Sequence, residues 1–469
     1  MQSYDLLVLG GGSAGFAAAI RAAEANKRVA MIEGGTMGGT CVNVGCVPSK
    51  TLIAAANTRH AALHPRFQGL NLSGTAVDWS TVMGDKTALV EALRQAKYAD
   101  VLAAYPQIEW VAGHGVIRTT DPVTVTVGTD TLVAPRLIVA TGAHPWAPPI
   151  PGLADTPYWT STEALASETL PETLLVIGGS AVGLEIGQLY QRLGSQVTVL
   201  EALDRIVPLE DTEVSEGLAQ YLRTEGLGIH VGVQIQSVAH EDGHFTVQAL
   251  SGGRAQTFTA DRLLVATGRR PNTADFGLAE VGVAMDSRGA MVVNDRLQTS
   301  LPTIYAAGDV TGQAMFVYVA AEAGSIAATN ALGLGDRILD VTTLPKVTFT
   351  DPQVASVGLT DAGTEAAGLD CTCTSLPLAY VPRALANRDT RGFIKLVVEH
   401  GTERIVGMHV VAPEAGEIIQ VGTLAVKYAM SLSDVTSLFF PYLTMVEGVK
   451  LAAITFHKDV STLSCCAGS

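Results

Sequence analysis

Apolar residues run unbroken through Leu6-Leu7-Val8-Leu9, give way to a glycine-dense turn, recur at helical spacing through an Ala-rich stretch near 14–26, and run again near 28–32. Short apolar runs bounded by turn residues read as buried strands, and a 3.6-residue recurrence reads as a helix. The pattern predicts a strand near 4–9, a helix near 14–26 and a strand near 28–32, which is one βαβ unit. It returns at Leu174-Leu175-Val176-Ile177, a second glycine-rich turn, a helix and the strand Val197-Thr198-Val199-Leu200. Two more apolar runs, Leu137 to Ala140 and Leu263 to Ala266, each end in Thr-Gly and are expected to close the two sheets. The run Ile304-Tyr305-Ala306 leads into Ala307-Gly308-Asp309. From about 345 onward these turns stop, and alternating and amphipathic segments predict an α+β domain. A proline-rich run from Pro145 to Pro151 marks a domain boundary.

The first turn places Gly10, Gly12 and Gly15 in a G-x-G-x-x-G frame, with Glu33 following Gly15 by 18 residues. That spacing sets a carboxylate where it can hold a ribose hydroxyl, with a pyrophosphate against the glycines and the helix N-terminus. The second copy reads Gly178, Ser180, Gly183, and Glu201 again follows by 18 residues. Ser180 replaces the middle glycine, which makes this copy the weaker match. Two copies with matched acids predict an α/β fold with two Rossmann-like nucleotide-binding domains and a C-terminal α+β domain. Their bounds are expected at 1–150 with 271–344, at 151–270, and at 345–469.

Just after the first unit comes Gly38-Gly39-Thr40-Cys41-Val42-Asn43-Val44-Gly45-Cys46-Val47-Pro48-Ser49-Lys50, with two cysteines in C-x4-C spacing on what reads as a helix. On an ideal helix, thiols five positions apart lie about 140° apart, so joining them distorts the first turn and makes the bond easy to relieve by reduction. A helix N-terminus favours the thiolate. The six cysteines fall in pairs, 41/46, 371/373 and 465/466, too few for a stapled fold of 469 residues. Cys371 and Cys373 form a C-x-C pair that points both thiols to one strand face; a zinc site is not expected without further ligands, and packing is the expected account.

A net charge of −15 without a basic cluster excludes nucleic acid and anionic membrane as partners. No apolar run reaches bilayer length, and an apolar strand sits where a signal peptide would be, so the cytoplasm is the expected address.

Together these motifs resemble the flavin-dependent pyridine nucleotide–disulfide oxidoreductases, over essentially the whole chain. The resemblance implies FAD on the first nucleotide fold, held by Gly10, Gly12, Gly15, Glu33, Gly39, Thr40, Lys50, Thr141, Gly142 and Asp309. It implies NAD(P)H on the second, held by Gly178, Ser180, Gly183, Glu201 and Gly268, and a last domain that forms a homodimer and completes each active site. Cys46 would be the thiol nearest the flavin, Cys41 the exchange thiol, and Lys50 the partner of Glu185 beside the ring.

The disulfide-reducing branches carry a His-Pro followed by Glu near the C-terminus. Here Glu447 remains, but Tyr442 stands at the histidine position, and a phenol with pKa near ~10 is a poor base at neutral pH. Adjacent Cys465 and Cys466 in the tail suit a soft ion passed by ligand exchange. These features, and Lys97-Tyr98, resemble the Hg(II)-reducing branch, which places a second tyrosine, here Tyr98, at the metal site. That resemblance implies reduction of Hg(II), delivered as a thiol complex, to Hg(0), with Cys41, Cys46, Cys465 and Cys466 as metal ligands. Glu201 disfavours a ribose 2′-phosphate, so NADH is expected to serve at least as well as NADPH. The competing expectation is a dihydrolipoamide dehydrogenase-like disulfide reductase, which Glu201 suits and Tyr442 does not.

Overall fold

The computed structural model describes residues 1–73 and 76–462. Cys465 and Cys466, expected to carry metal capture, lie outside the described residues. The chain forms two compact units, one from residues 1–51, 80–147 and 268–341, the other from 52–79, 148–267 and 342–469.

In the first unit, five parallel strands are ordered Ile304–Ala306, Leu137–Val139, Leu6–Leu9, Val29–Glu33, Ile108–Ala112. Strands buried on both faces need continuous apolar runs, which is why Leu6 to Leu9 shows no alternation. One face packs against the helices Ser13–Glu24 and Val317–Ala331, where Leu6, Val8, Phe16, Ala323 and Ala327 share a core. Those two helices cross closely because Gly324 lies against the Ala14 backbone; a Cβ there would stand 3.0 Å from Ala14 Cα. The other face holds Leu7, Leu9 and Ile32 against a four-stranded sheet that includes Val123–Val127 and Asp130–Ala134.

In the second unit, a parallel sheet runs Gly228–His230, Gln196–Leu200, Thr173–Ile177, Arg262–Val265. A five-stranded antiparallel sheet follows in the order Lys346–Thr348, Gln353–Gly358, Ile405–Ala412, Phe393–Glu399, Cys371–Pro377. Its core of Val357, Leu396, Met408 and Val410 is closed by the helices Ala415–Lys427 and Glu447–Ile454. Among the described residues no helix is long and apolar enough to cross a membrane.

Candidate active site

The first fingerprint forms a backbone cradle. Gly10 adopts φ +117°, and a side chain there would strike the Ala140 carbonyl carbon at 2.6 Å. At Gly15 a Cβ would meet the Gly10 carbonyl carbon at 3.0 Å, so helix and turn close on each other only without side chains. Glu33 ends its strand with both carboxylate oxygens engaged: Oε2 accepts the Gly11 N–H and Oε1 the Gly35 N–H, each at 2.6 Å. A cavity of about 390 Å³ opens beside it, lined by Glu33, Gly35, His114, Thr141, Asn272 and Phe276 among others. The FAD that the resemblance implies fits this set: bare backbone for a pyrophosphate, a fixed carboxylate for a ribose, and an apolar wall for a ring.

Thr141 borders the same cavity, tied to a residue that the sequence pattern did not single out. Asn272 donates from Nδ2 to the Thr141 carbonyl (2.9 Å), and its own carbonyl accepts the Thr141 hydroxyl (2.6 Å). Its signal is the Thr267-Gly268-Arg269-Arg270-Pro271-Asn272 run, whose strand Arg269–Pro271 pairs with Ala143–Pro145. Arg269 also brings a cation toward Asp309. Burial raises the Asp309 carboxyl above its ordinary value against the opposing pull of Arg269. Burial likewise lowers the Arg269 guanidinium, against Asp309 and Cys46.

The thiol segment sits on this cradle. Gly38 donates its N–H to the Gly11 carbonyl (2.9 Å), and Gly39, at φ +64°, lies so close to Gly12 that a Cβ would come within 2.7 Å of its Cα. Asn43 ties the turn by donating to the Met37 and Gly39 carbonyls at 2.9 and 2.8 Å. The expected single helix is instead two, Gly39–Val44 and Cys46–Leu63, broken at Gly45 with φ −128° and ψ −111°. The glycine permits the break, because a Cβ there would press on the Thr40 carbonyl oxygen at 3.0 Å. Cys46 thereby starts its own helix and is exposed, while Cys41 is half-buried. Pro48 falls in the first turn, where no intrahelical N–H is required.

The neighbouring thiol bears on how Cys41 ionises. A hydrogen bond with the Cys46 side chain, burial and the negative charge of Cys46 push the Cys41 thiol up; the Cys46 N–H and Lys50 oppose them and lose. Lys50 lies four residues beyond Cys46, one turn along the same helix face. The Cys41 thiol is therefore harder to ionise than an ordinary thiol. Near neutral pH, iodoacetamide should alkylate Cys46 well ahead of Cys41. In Cys46→Ser the charge that opposes ionisation is gone, so the labelling midpoint of Cys41 should fall toward the ordinary thiol value of about 8.5. Peptide mass mapping against pH measures both; an unmoved Cys41 midpoint contradicts the coupling.

Tyr98 stands over this turn. It lies in a π-helical turn, Gln95–Ala99, its ring 4.8 Å from that of Phe16 and nearly perpendicular to it, and a Cβ on Gly38 would touch its ring at 3.2 Å. Single π-turns inside helices re-aim side chains and recur at functional sites. Burial raises the Tyr98 phenol, a hydrogen bond with Ser13 opposes this, and the charges of Cys41 and Cys46 add to the rise.

The second fingerprint repeats the first. Gly178 takes φ +110° against Ala266, Gly183 packs on Gly178, and Gly268 turns at φ +111°. Glu201 Oε2 accepts the Gly179 N–H at 2.6 Å and Oε1 the Leu203 N–H at 2.8 Å, the same two-point clamp that fixes Glu33. Ser180 is exposed at the N-terminus of the helix Ala181–Leu193, without a side-chain capping bond, leaving that helix end open to a phosphate. Arg205 directs Nη2 to the Pro208 carbonyl at 3.0 Å. Glu185, buried on the same helix, accepts the Phe349 N–H at 2.9 Å.

Near the C-terminus Tyr442 is 51% exposed and Glu447 is buried. Glu447 Oε2 accepts the N–H of Leu443, at φ +60°, so the carboxylate holds the turn that presents Tyr442. Burial raises the Glu447 carboxyl, partly offset by this bond.

Residues 4–324 match the family described as pyridine nucleotide-disulphide oxidoreductase, and residues 344–453 match its dimerisation domain. The chain is 46% identical to the mercuric reductase of Acidithiobacillus ferrooxidans over 100% of its own length and 85% of that protein's. It is likewise 46% identical to the mercuric reductase of Streptomyces lividans, covering 99% and 98% of the two chains. Among solved structures it resembles the HOCl-induced flavoprotein disulfide reductase RclA from Escherichia coli, with TM-score 0.86, 30% identity and coverage of 97% and 100%.

Proposed function

The chain belongs to the pyridine nucleotide-disulphide oxidoreductase family, whose enzymes use FAD and NAD(P)H, and from that premise we propose that it reduces Hg(II) to Hg(0). On this reading residues 1–150 and 271–344 carry FAD, 151–270 the nicotinamide nucleotide, and 345–469 the contact with a second copy of the chain. Hg(II), arriving with two thiolate ligands, is taken first by Cys465 and Cys466 of one copy. It then passes to Cys41 and Cys46 of the other by stepwise exchange, each new sulfur–mercury bond replacing an old one. FAD, when bound, relays two electrons from NAD(P)H to the ion held there. Cys41, the exchange thiol of the resemblance, gives up its proton as its sulfur–mercury bond forms, and the exposed Cys46 supplies the other sulfur. Tyr98 and Tyr442 bring phenols to the ion, and Lys50 and Glu185 would be among the residues that serve the flavin.

Tyr442 carries the reading. A phenol offers no proton acceptor for an organic dithiol at neutral pH, and Glu447, one oxygen on the Leu443 N–H, holds the turn that presents that phenol. The test is anaerobic: reduce the protein with nicotinamide nucleotide, then add HgCl2 or a disulfide. Reoxidation of the flavin by Hg(II) alone supports the proposal; reoxidation by lipoamide or glutathione disulfide alone supports a dihydrolipoamide dehydrogenase-like reductase, the reading that Glu201 favours. Cys465→Ala with Cys466→Ala should lower turnover of thiol-complexed Hg(II) more than about tenfold, the loss of a chelating pair, with flavin reduction unchanged. Equal turnover would remove the tail from the pathway.

Glu201 makes a further expectation concrete. A carboxylate pinned by two N–H donors meets a ribose 2′-hydroxyl well and a 2′-phosphate badly. NADH should therefore match or exceed NADPH in kcat/KM, and Glu201→Ala should shift the ratio toward NADPH by about tenfold, an effect near 1.4 kcal/mol. Steady-state kinetics with both nucleotides measures it, and a strong NADPH preference in the unaltered enzyme contradicts it.

A further inference from the structure

Cys371 and Cys373 lie on the strand Cys371–Pro377 at the edge of the antiparallel sheet, separate from the redox pair. Leu376 of this strand enters the core, so alternation turns residues 371, 373 and 375 to the opposite face. There the helix Asp361–Ala367 meets them with two side chains of its first turn. Cys373 Sγ donates to Asp361 Oδ1 at 2.7 Å, and Cys371 hydrogen-bonds Thr364. Asp361 is fixed in turn by Lys395, whose Nζ lies 2.7 Å from Oδ2. Cys373 is exposed and Cys371 half-buried. Both are free thiols, held side by side on a rigid strand.

We propose that Cys371 and Cys373 form a second site for a soft, two-coordinate cation such as Hg(II), Ag(I) or Cu(I). Alternate strand residues stand about 6.7 Å apart at Cα. Two sulfur–metal bonds in line span roughly 4.6 Å, taking the sulfur–zinc length as the scale, so ordinary χ1 rotation brings the sulfurs to bridging distance. A four-coordinate ion is disfavoured, because no group of three or more His, Cys, Asp or Glu able to hold a metal is found among the described residues. Burial and neighbouring carboxylates raise both thiols, Cys373 to about 12, with Glu399, Asp370 and Asp361 around Cys371 and Asp361 and Asp211 around Cys373, against Lys395. Loading must therefore displace a proton from each thiol as its sulfur–metal bond forms. Loading by HgCl2 balances simply: two S–Hg bonds form, two Hg–Cl bonds break, and two protons leave, that of Cys373 by way of Asp361. The site stands on thiol chemistry alone, whether or not the Hg(II) reading of the redox pair holds.

The test uses the full-length, FAD-loaded protein with Cys41, Cys46, Cys465 and Cys466 replaced by Ser. After one equivalent of HgCl2, desalting against an excess of a monothiol should leave one mercury per chain. Adding Cys371→Ser or Cys373→Ser singly should each cut retention at least about tenfold, since chelation raises the effective concentration of the second sulfur. ZnCl2 should not be retained. In the unaltered holoenzyme HgCl2 should protect both cysteines from iodoacetamide together, a readout free of any folding defect in the variants. Equal retention by the single variants, no retention by their parent, or protection of one thiol without the other overturns the proposal.

Discussion

Cys46→Ala is expected to lower Hg(II)-dependent NAD(P)H oxidation by more than the roughly 100-fold that losing a mere second-shell partner costs a metal site, while the rate of flavin reduction by NAD(P)H stays within twofold. The reasoning begins with the break at Gly45, which makes Cys46 the first residue of its helix and leaves it exposed, while Cys41 is half-buried and keeps its proton. Removing Cys46 deletes the exposed sulfur of the redox pair. The remaining Cys41 is a single ligand where a linear ion takes two. Stability should change little, because an exposed side chain at a helix start makes few contacts. Steady-state oxidation of NADPH and NADH and anaerobic stopped-flow reduction separate the two effects. Turnover within tenfold of the parent, with normal flavin content, would take Cys46 out of the metal pathway. Cys41→Ala should lose turnover equally but leave Cys46 open to alkylation.

The features that could be read from the chain are those in which backbone geometry dictates residue type. Gly10, Gly15 and Gly183 must lack side chains because carbonyls stand where a Cβ would go, so their spacing announced both nucleotide folds. Glu33 and Glu201 were legible for the same reason, each closing its turn by accepting two N–H groups. The separation of the two thiols onto different helices was not legible, since helical periodicity cannot register one interrupted residue, and Gly45 in a glycine-rich segment carries no unique mark. Tyr98 was found only through a family likeness. Its π-turn, which sets the ring over Gly38, has no sequence signature. Asn272 and Arg269 were missed because they act from across the sheet, Asn272 through backbone and side-chain bonds to Thr141, and no local pattern reports such a partner.

The largest loss of stability is expected at a residue outside the redox pair. Arg192→Met should destabilise the second unit by about 3–5 kcal/mol, the usual result of removing one partner from a buried ionic cluster. Arg192 is 4% exposed at the end of the helix Ala181–Leu193. It gives Nε and Nη2 to Glu225 at 2.5 and 2.8 Å, and Nη1 to Asn57 at 2.6 Å and Asp351 at 2.8 Å. Asp351 is shared with Arg391, which also grips Asp389. Met keeps most of the volume, so the cost falls on Glu225, whose side chain is only 9% exposed and loses its main cation. Arg192→Lys should recover little, because an ammonium cannot fork across two carboxylates. Burial pushes the Asp351 carboxyl up, but Arg192, Arg391 and Arg66 together hold it below the ordinary value. A depressed folded value contributes stability above the unfolded pKa of about 3.9 and loses it as pH falls further. Without Arg192 the Asp351 carboxyl rises and binds a proton more readily in the folded state. The deficit of the variant should therefore be widest at neutral pH and shrink toward pH 4, and Glu225→Gln added to Arg192→Met should restore part of it. Thermal unfolding followed by circular dichroism should show a drop on the order of 10 °C at pH 7. A deficit independent of pH would mean that lost packing, and not an orphaned charge, sets the cost.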